Sequence, residues 1–428
     1  MARSERERRH ETLKTRNLVS NVVPPRGMRD MLPQHMALRA SVIDAILNAY
    51  RQYGYQLIET PALESLRYLQ SGDGGDNEKL IYKVLRRGLS DEDRASARSE
   101  DDLADLGLRY DLTVPLARFF ASNRSQLPAP FRAIQIGPVW RAERPQRGRF
   151  RQFTQCDIDI LGEAGELAET ELVLATATAL RSVGLTEGTI RINDRRVLTS
   201  MMAACGFDDA DIPAALIQVD KIDKIGIDGV RAELEARWNG RLATRTGDLL
   251  HALVHPDTRS EVLRAHVTTE AGQAGLASLS RIMDLVREAG GSAPLTLELD
   301  PTLVRGMGYY TGPIFEVAHP AASGSIAGGG RYDGMIGRIS GTETPACGFS
   351  IGFERILDLV DPEFGAQQRT VALLYDRTDL GAALDEAGRM RTAGGRVLMV
   401  TRVKNRRAQL DRLAAQGITE IIDFRVPS

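Results

Sequence analysis

The sequence predicts an α+β fold, and three observations carry that prediction. Between Leu108 and Gly162, strand-like runs (LRYDLTV, FRAIQIGPVW, FRQFTQCDIDIL) follow one another with no helical repeat between them. Apolar alternation returns at LTLELD (295–300) and PIFEVA (313–318), after a long stretch of helical character. Beyond Pro362, strand-like and helix-like segments alternate in turn. Strands, then helices, then strands again point to an antiparallel sheet with helices rather than a doubly wound parallel one. The alternating tail points to a small parallel α/β unit.

In chain order, residues 1–22 are charged and lack the apolar core of a secretory signal, so a disordered, solvated lead is expected there. From Leu38 to Tyr53 the apolar residues Leu38, Val42, Ala45, Ile46, Ala49, Tyr50 and Tyr53 keep the spacing of a core-facing helix. Gly54 ends it, and Tyr55 to Ile58 reads as a strand closed by Pro61. Arg86 to Asp105 holds four Arg and seven Asp or Glu with almost no large apolar residue, the composition of a surface insertion. After the three strand-like runs come a helix (Glu169 to Val183) and a strand (Thr189 to Ile192). Residues 195–290 read as wholly helical, and Gly324 to Gly330 as a glycine-rich turn. Phe349, Ile351 and Phe353 alternate as a strand before Phe353, Ile356, Leu357 and Val360 take up helical spacing. The tail then runs VALLYD (371–376), a helix from Leu380 to Thr392, RVLMV (396–400), a helix near 405–415 and ITEIIDF (418–424). The expected organisation is a lead (1–22), a core in two pieces (23–194 and 291–362) around a helical insertion (195–290), and a C-terminal α/β domain (368–428).

Composition excludes several classes. Hydrophobic content of 43% and charged content of 26% are those of a globular protein. No apolar run approaches the roughly 20 residues that cross a bilayer, so no membrane association is expected. Cys156, Cys205 and Cys347 are odd in number and show no CxxC spacing. A disulfide framework or zinc site is not expected, and a cytoplasmic location is. A net charge of −2 makes the whole chain a poor electrostatic magnet for nucleic acid, so any such contact must use local basic surface.

The densest chemical feature is WRAERPQRGRFRQFTQ (140–155), with Arg141, Arg144, Arg147, Arg149 and Arg151 between two strand-like runs. Arginine forks match phosphate oxygens two at a time, although a lone cluster of this kind also reads as a solvated charged hairpin. The next strand weighs against that, since alternation places Gln155, Asp157 and Asp159 on one face and Cys156, Ile158 and Ile160 on the other. Acids beside a phosphate clamp suit a site for a cation next to an anion. Arg305 and Arg355 lie in otherwise apolar segments, where an unpaired guanidinium is costly to bury. Ion pairs with Glu316 or Glu354 are the plain alternative for these two. There is no GxxxxGK[ST] loop, no HExxH, and no GxGxxG opening a helix. His251 and His255 have i, i+4 spacing but no third ligand, which favours a structural role.

Together these stretches resemble the class II aminoacyl-tRNA synthetases. Pro61 after a helix and strand looks like motif 1, Arg141-Ala-Glu143 with its loop to Phe153 like motif 2, and GFSIGFER (348–355) like motif 3. LVRGMGYYTGPIFE (303–316) and AGGGRYDG (327–334) resemble two peptides peculiar to the histidine–tRNA ligases. RPQRGRFRQF (144–153), RYDLTVP (109–115), NDRR (193–196) and VDKIDK (219–224) agree with that family. The resemblance runs from about Pro24 to Phe424.

It implies a class II antiparallel core and a two-step reaction. Histidine and ATP, the latter carrying Mg²⁺ as substrate, give histidyl-adenylate, and the acyl group passes to the 3′ end of tRNA(His). By resemblance, Arg141 and Arg305 are catalytic. Arg141, Glu143, Arg149, Phe153 and Arg355 bind ATP, with Phe153 on the adenine and Arg355 on the γ-phosphate. Asp111, Thr113, Gln155, Asp159, Arg305, Tyr309, Tyr310, Gly329 and Tyr332 bind histidine, and Arg305 stands in place of a catalytic metal. Gln146 and Arg147 would meet the acceptor end, and Arg402, Lys404 and Arg406 would offer the C-terminal domain a basic edge for tRNA. No tightly bound metal is expected, and a homodimer is. Two departures stand out. Gly308 occupies a position where many members carry Asp, and the C-terminal unit stops after its third strand where members usually continue. These keep two other readings open: a catalytically silent regulator of histidine biosynthesis, whose kind lacks the catalytic arginines, and an activating enzyme with a non-tRNA acceptor.

Overall fold

A computed structural model describes residues 22–70, 78–145, 149–290, 295–306, 308–365 and 370–425. The disordered lead expected over residues 1–22 falls, but for Val22, outside them.

In chain order the strands are β1 (Gln56–Leu57), β2 (Leu63–Ser65), β3 (Lys83–Leu85), β4 (Ala104–Leu108), β5 (Phe131–Trp140), β6 (Gln152–Leu161) and β7 (Thr189–Asp194). They continue with β8 (Thr296–Leu299), β9 (Pro313–Ala318), β10 (Ala327–Arg331), β11 (Ala346–Gly352), β12 (Thr370–Tyr375), β13 (Arg396–Thr401) and β14 (Glu420–Asp423). Eight of them form the main sheet in the order β1-β5-β6-β11-β10-β9-β7-β8. Its six central strands are antiparallel, and β1 and β8 join the edges in parallel. This is the antiparallel α+β core that the order of strands and helices predicts.

The alternation read in β6 is realised. Cys156, Ile158 and Ile160 are fully buried in the apolar face, and the helix Leu167–Ser182 packs against β6 and β11. The opposite face carries Gln155, Asp157 and Asp159.

Two readings of local pattern need correction. LRYDLTV is not a strand throughout, because β4 ends at Leu108 and a helix runs Thr113–Asn123. The Asp111 carboxylate accepts the Val114 N–H at 3.1 Å, and Pro115 sits in the first turn, where its missing donor costs nothing. Local capping thus overrides the apolar alternation. The glycine-rich segment is not a turn over its second half, since Ala327–Arg331 is a strand inside the sheet. Its glycines lie so close to their neighbours that a side chain would collide. A Cβ on Gly329 would lie 2.0 Å from the Gly348 carbonyl oxygen.

The described residues fall into two compact units. The first contains the main sheet, the small sheet β2-β4-β3 and the helices of residues 195–290 (Arg195–Cys205, Ile212–Val219, Ile222–Arg237, Gly240–Val254, Pro256–His266 and Glu270–Gly290). Within the charged stretch 86–105, the helix Asp91–Ser96 buries no residue and is closed by a capping box between Ser90 and Asp93. The second unit comprises Pro33–Val42 and residues from Asp361 onward. Its sheet is parallel, in the order β13-β12-β14. Ala372 and Leu374 pack with Leu413 and Ile418, whereas Leu373 packs with Ala383 and Ala387. Alternate residues of β12 therefore meet the helices Arg406–Ala415 and Leu380–Thr392 on opposite faces.

Among the described residues, no helix is long and apolar enough to cross a membrane.

Candidate active site

Register across the main sheet builds the site. Asp157 pairs with Ser350, Ser350 with Gly328, Gly328 with Glu316 and Glu316 with Arg191. Residues paired in this way project to the same side, so a polar row crosses β6, β11, β10, β9 and β7. A second row runs from Asp159 through Gly348 and Gly330 to Ile314. The glycines in these rows make room for functional groups. A Cβ on Gly348 would sit 1.9 Å from Asp159 Oδ1, and one on Gly328 would sit 2.6 Å from Arg305 Cζ.

The three arginines singled out in remote stretches converge. Arg305 lies over Gly328 and donates to Glu316 Oε2 at 2.7 Å. Burial works against its charge, but Tyr310 and Glu316 outweigh that and hold its pKa above the usual value. Glu316 also receives Arg191, which donates to Asp300 at 3.3 Å and to Asp223 at 3.2 Å. Arg141 donates its Nε to the Tyr110 carbonyl at 3.0 Å, and its guanidinium lies 5.1 Å from the Phe153 ring centre. Arg355 is held on the Ser325 carbonyl oxygen. Its pKa is pushed down by burial first, then by the positive charges of Arg149 and Arg305, with Arg141 adding to the same effect. The positive charges of Arg149, Arg305 and Arg141 thus reach Arg355 in a partly buried space, an arrangement chemically suited to a polyanion. Of the ion pairs considered from sequence, Arg305 with Glu316 exists. Glu354 instead takes Arg29 and the Thr154 N–H. Arg149 reaches Glu143 at 3.3 Å.

Beside the arginines lies an acidic pocket. Tyr332 donates its hydroxyl to Asp159 Oδ1 at 2.6 Å. Burial raises Asp159 to about 7; the Tyr332 bond opposes the rise and the Asp111 charge adds to it. Burial likewise raises Asp111 to about 6, against the Val114 N–H, Arg141 and the Thr113 N–H. Asp157 is also pushed up, by burial and then by Asp159. Asp111 Oδ2 and Gln155 Oε1 are buried without a hydrogen-bond partner, two acceptors awaiting a donor. Tyr309 stands edge-on to Tyr310 at 4.9 Å and to Tyr332 at 6.1 Å between ring centres. Tyr310 covers Gly330, where a Cβ would meet its ring at 2.9 Å. Gly329 presents backbone alone.

Sequence reasoning did not place two members of this site in their roles: Asp157 and Ser350. The alternation of TQCDIDILG put Asp157 on the right face, whereas nothing local marks Ser350 as its partner.

The residues considered for tRNA are less uniform. Gln146 and Arg147 lie outside the described residues. Arg402 is engaged with Asp376, Asp423 and the Phe424 carbonyl, and Arg406 reaches Asp423 at 2.6 Å. Lys404 is exposed.

The chain as a whole is similar to known proteins. The family model described as histidyl-tRNA synthetase matches residues 27–356. The histidine–tRNA ligase of Leifsonia xyli subsp. xyli is 50% identical over 407 residues, covering 94% of each chain. A probable histidine–tRNA ligase of Tropheryma whipplei is 44% identical, over 83% of this chain and 84% of its own. Among solved structures, the histidyl-tRNA synthetase of Nostoc sp. PCC 7120 superposes with a TM-score of 0.75 at 26% identity, over 94% of this chain and 91% of its own. An ATP phosphoribosyltransferase regulatory subunit/histidyl-tRNA synthetase from Bacillus halodurans shares the fold, with a TM-score of 0.76 at 21% identity over 95% and 99% of the two chains. The chain belongs to the histidyl-tRNA synthetase family.

Proposed function

We propose that this chain activates L-histidine with ATP and transfers the histidyl group to the 3′ end of tRNA(His). The observation that carries the proposal is the pairing, on one face of the family's sheet, of an arginine cluster around Arg355 with a buried acidic pocket holding two unpartnered acceptors.

In this reading the histidine ammonium is held by Asp111, Thr113 and Gln155, where Asp111 Oδ2 and Gln155 Oε1 await donors. The neutral imidazole has one donor and one acceptor nitrogen. Asp159 accepts from the ring N–H, while Tyr332 orients that carboxylate through its own hydroxyl. The Tyr310 hydroxyl serves the other nitrogen, and Tyr309 and Gly329 wall the slot. An amino acid without ring nitrogens leaves these buried groups unpaired, which costs roughly 10⁴-fold or more in selectivity.

The histidine carboxylate attacks the α-phosphate in line with the departing pyrophosphate, so negative charge grows on phosphoryl oxygens. Arg141 and Arg305 meet that charge with fixed guanidiniums that need no proton transfer. Arg355 holds the γ-phosphate, and Glu143 and Arg149 complete the nucleotide site. Adenine stacks on Phe153 after displacing the Arg141 guanidinium that now lies near it. Mg²⁺ enters with ATP as part of the substrate. A ribose hydroxyl of the terminal tRNA nucleotide then attacks the acyl carbonyl and releases AMP.

We assign residues 195–290 to the acceptor stem, Gln146 and Arg147 to the acceptor end, and the C-terminal unit to the anticodon. There Lys404 is the better cation for RNA, because Arg402 and Arg406 are already ion-paired. We further propose a homodimer through motif 1 and a cytoplasmic location, the latter in keeping with three buried cysteines that are not joined in a disulfide.

Histidine-dependent ATP–pyrophosphate exchange followed by charging of purified tRNA tests the assignment. Exchange without acylation of any tRNA would point to another acceptor, and absence of exchange to a silent regulator.

A further inference from the structure

The site holds a short chain of hydrogen bonds that the reaction described above does not use. Ser350, at the middle of β11, donates its hydroxyl to Asp157 Oδ1. The same Ser350 oxygen accepts from Gln155 Nε2 at 3.0 Å. The three residues lie side by side because Asp157 pairs with Ser350 and Gln155 with Gly352 in the β6–β11 ladder.

Counting donors and acceptors gives the chain a direction. A serine hydroxyl has one proton, and Ser350 gives it to Asp157, so its oxygen can only accept from the other side. A glutamine amide has a donor end and an acceptor end, and Gln155 must turn its donor end to Ser350. The acceptor end is thereby aimed away from Ser350, and Gln155 Oε1 is found buried with no partner. A cation beside Gln155 meets an oxygen. With the amide turned over it would meet an NH₂ group instead.

We propose that Asp157 is a positioning residue which acts through Ser350 to fix the Gln155 amide with its oxygen toward the substrate ammonium. This rests on the reading that Gln155 binds that ammonium. The selectivity of the pocket for an amine over a hydroxyl at the α-carbon is then set two residues away from the group that touches the substrate. Asp157 is suited to the task by its burial, since water cannot compete for the Ser350 proton.

The test is steady-state ATP–pyrophosphate exchange on the full-length protein, with L-histidine as substrate and L-β-imidazolelactate, which carries hydroxyl in place of ammonium, as competitor. Asp157→Leu removes the acceptor of the Ser350 proton, so the serine is free to turn it to Gln155 and the amide to flip. The KM for histidine should rise about 10- to 100-fold, the loss expected for a hydrogen bond to a charged group. The KM for ATP should stay put, and the preference for histidine over imidazolelactate should narrow by a similar factor. Ser350→Ala keeps the Asp157 carboxylate but cuts the chain and should also raise the histidine KM, whereas Ser350→Thr, which restores a hydroxyl, should return it to the wild-type value. If Ser350→Ala binds histidine as the wild type does, the relay is overturned. The serine pair decides the matter even if Asp157→Leu does not fold. A wild-type protein without histidine-dependent exchange would instead defeat the functional reading on which the relay rests.

Discussion

Replacing Gly328 with alanine tests whether the position of Arg305 is what makes it effective. Gly328 lies in β10 directly under the guanidinium, and a Cβ there would come within 2.6 Å of Cζ, Nη1 and Nη2. Ordinary contact needs about 3.5 Å between such atoms, so the group must move by roughly 1 Å. Because the obstacle is the free end of a flexible side chain, the fold can survive the change. Overpacking of this kind costs about 1–3 kcal/mol, and a displaced guanidinium relieves most of it. Catalysis has no such relief, since a 1 Å misplacement of a positioned group can cost about 100-fold. Gly328→Ala should therefore melt close to the wild type yet lose about 100-fold in the rate of ATP–pyrophosphate exchange. Gly329→Ala is the contrast. There the obstacle is the Gly348 carbonyl at 2.0 Å and the Phe349 Cα at 2.7 Å, both backbone, so the sheet itself must open and the protein should be grossly destabilised. Wild-type exchange from a folded Gly328→Ala protein would show that Arg305 need not sit where it does, and would refute the reasoning.

Other perturbations probe the frame around the site. Arg331 and Glu169 form a nearly dry ion pair, with Arg331 Nη2 donating to Glu169 Oε2 at 2.9 Å and side-chain exposures of 9% and 2%. Arg331→Met leaves a buried carboxylate unpaired and should cost about 3–5 kcal/mol in denaturant titration, most of it recovered in Arg331→Met/Glu169→Met; a single variant as stable as wild type would count against the pair's role. Burial raises the pKa of Asp159 to about 7, above the 3.8 of the unfolded chain. The folded state therefore keeps a proton that the unfolded state has released, and the associated stability is full below about pH 4 and lost as pH rises to about 7. The Tm of Asp159→Asn should thus gain on the wild type across that interval, whereas parallel curves would contradict the burial argument. Lys404→Ala should weaken tRNA binding and reduce its salt dependence by about one ion, with pyrophosphate exchange intact. Arg402→Ala should mainly lower the stability of the C-terminal unit, since Arg402 ties Asp376 to Asp423.

The alternation in TQCDIDILG was enough to set Gln155, Asp157 and Asp159 on a face apart from Cys156, Ile158 and Ile160, because side-chain direction along a strand is a local property. The β-α-β-α-β tail was legible for the same reason. The boundary at Asp111 was not, because a carboxylate capping a helix start looks identical in sequence to a polar break in a strand. Arg402 was another such case. It reads as a basic edge beside Lys404, yet it meets carboxylates 26 and 21 positions away.

By itself, then, the sequence determined the α+β class, the arginine-rich stretches and the acidic face, all of which follow from periodicity and residue type within short windows. Tertiary structure alone decided that Arg141, Arg305 and Arg355 share one space, that Tyr332 is the partner of Asp159, and that Ser350 joins Asp157 to Gln155. Those facts depend on how β6, β11, β10 and β9 are aligned, and a shift of one residue between any two strands would turn every side chain to the other face without altering a single local pattern.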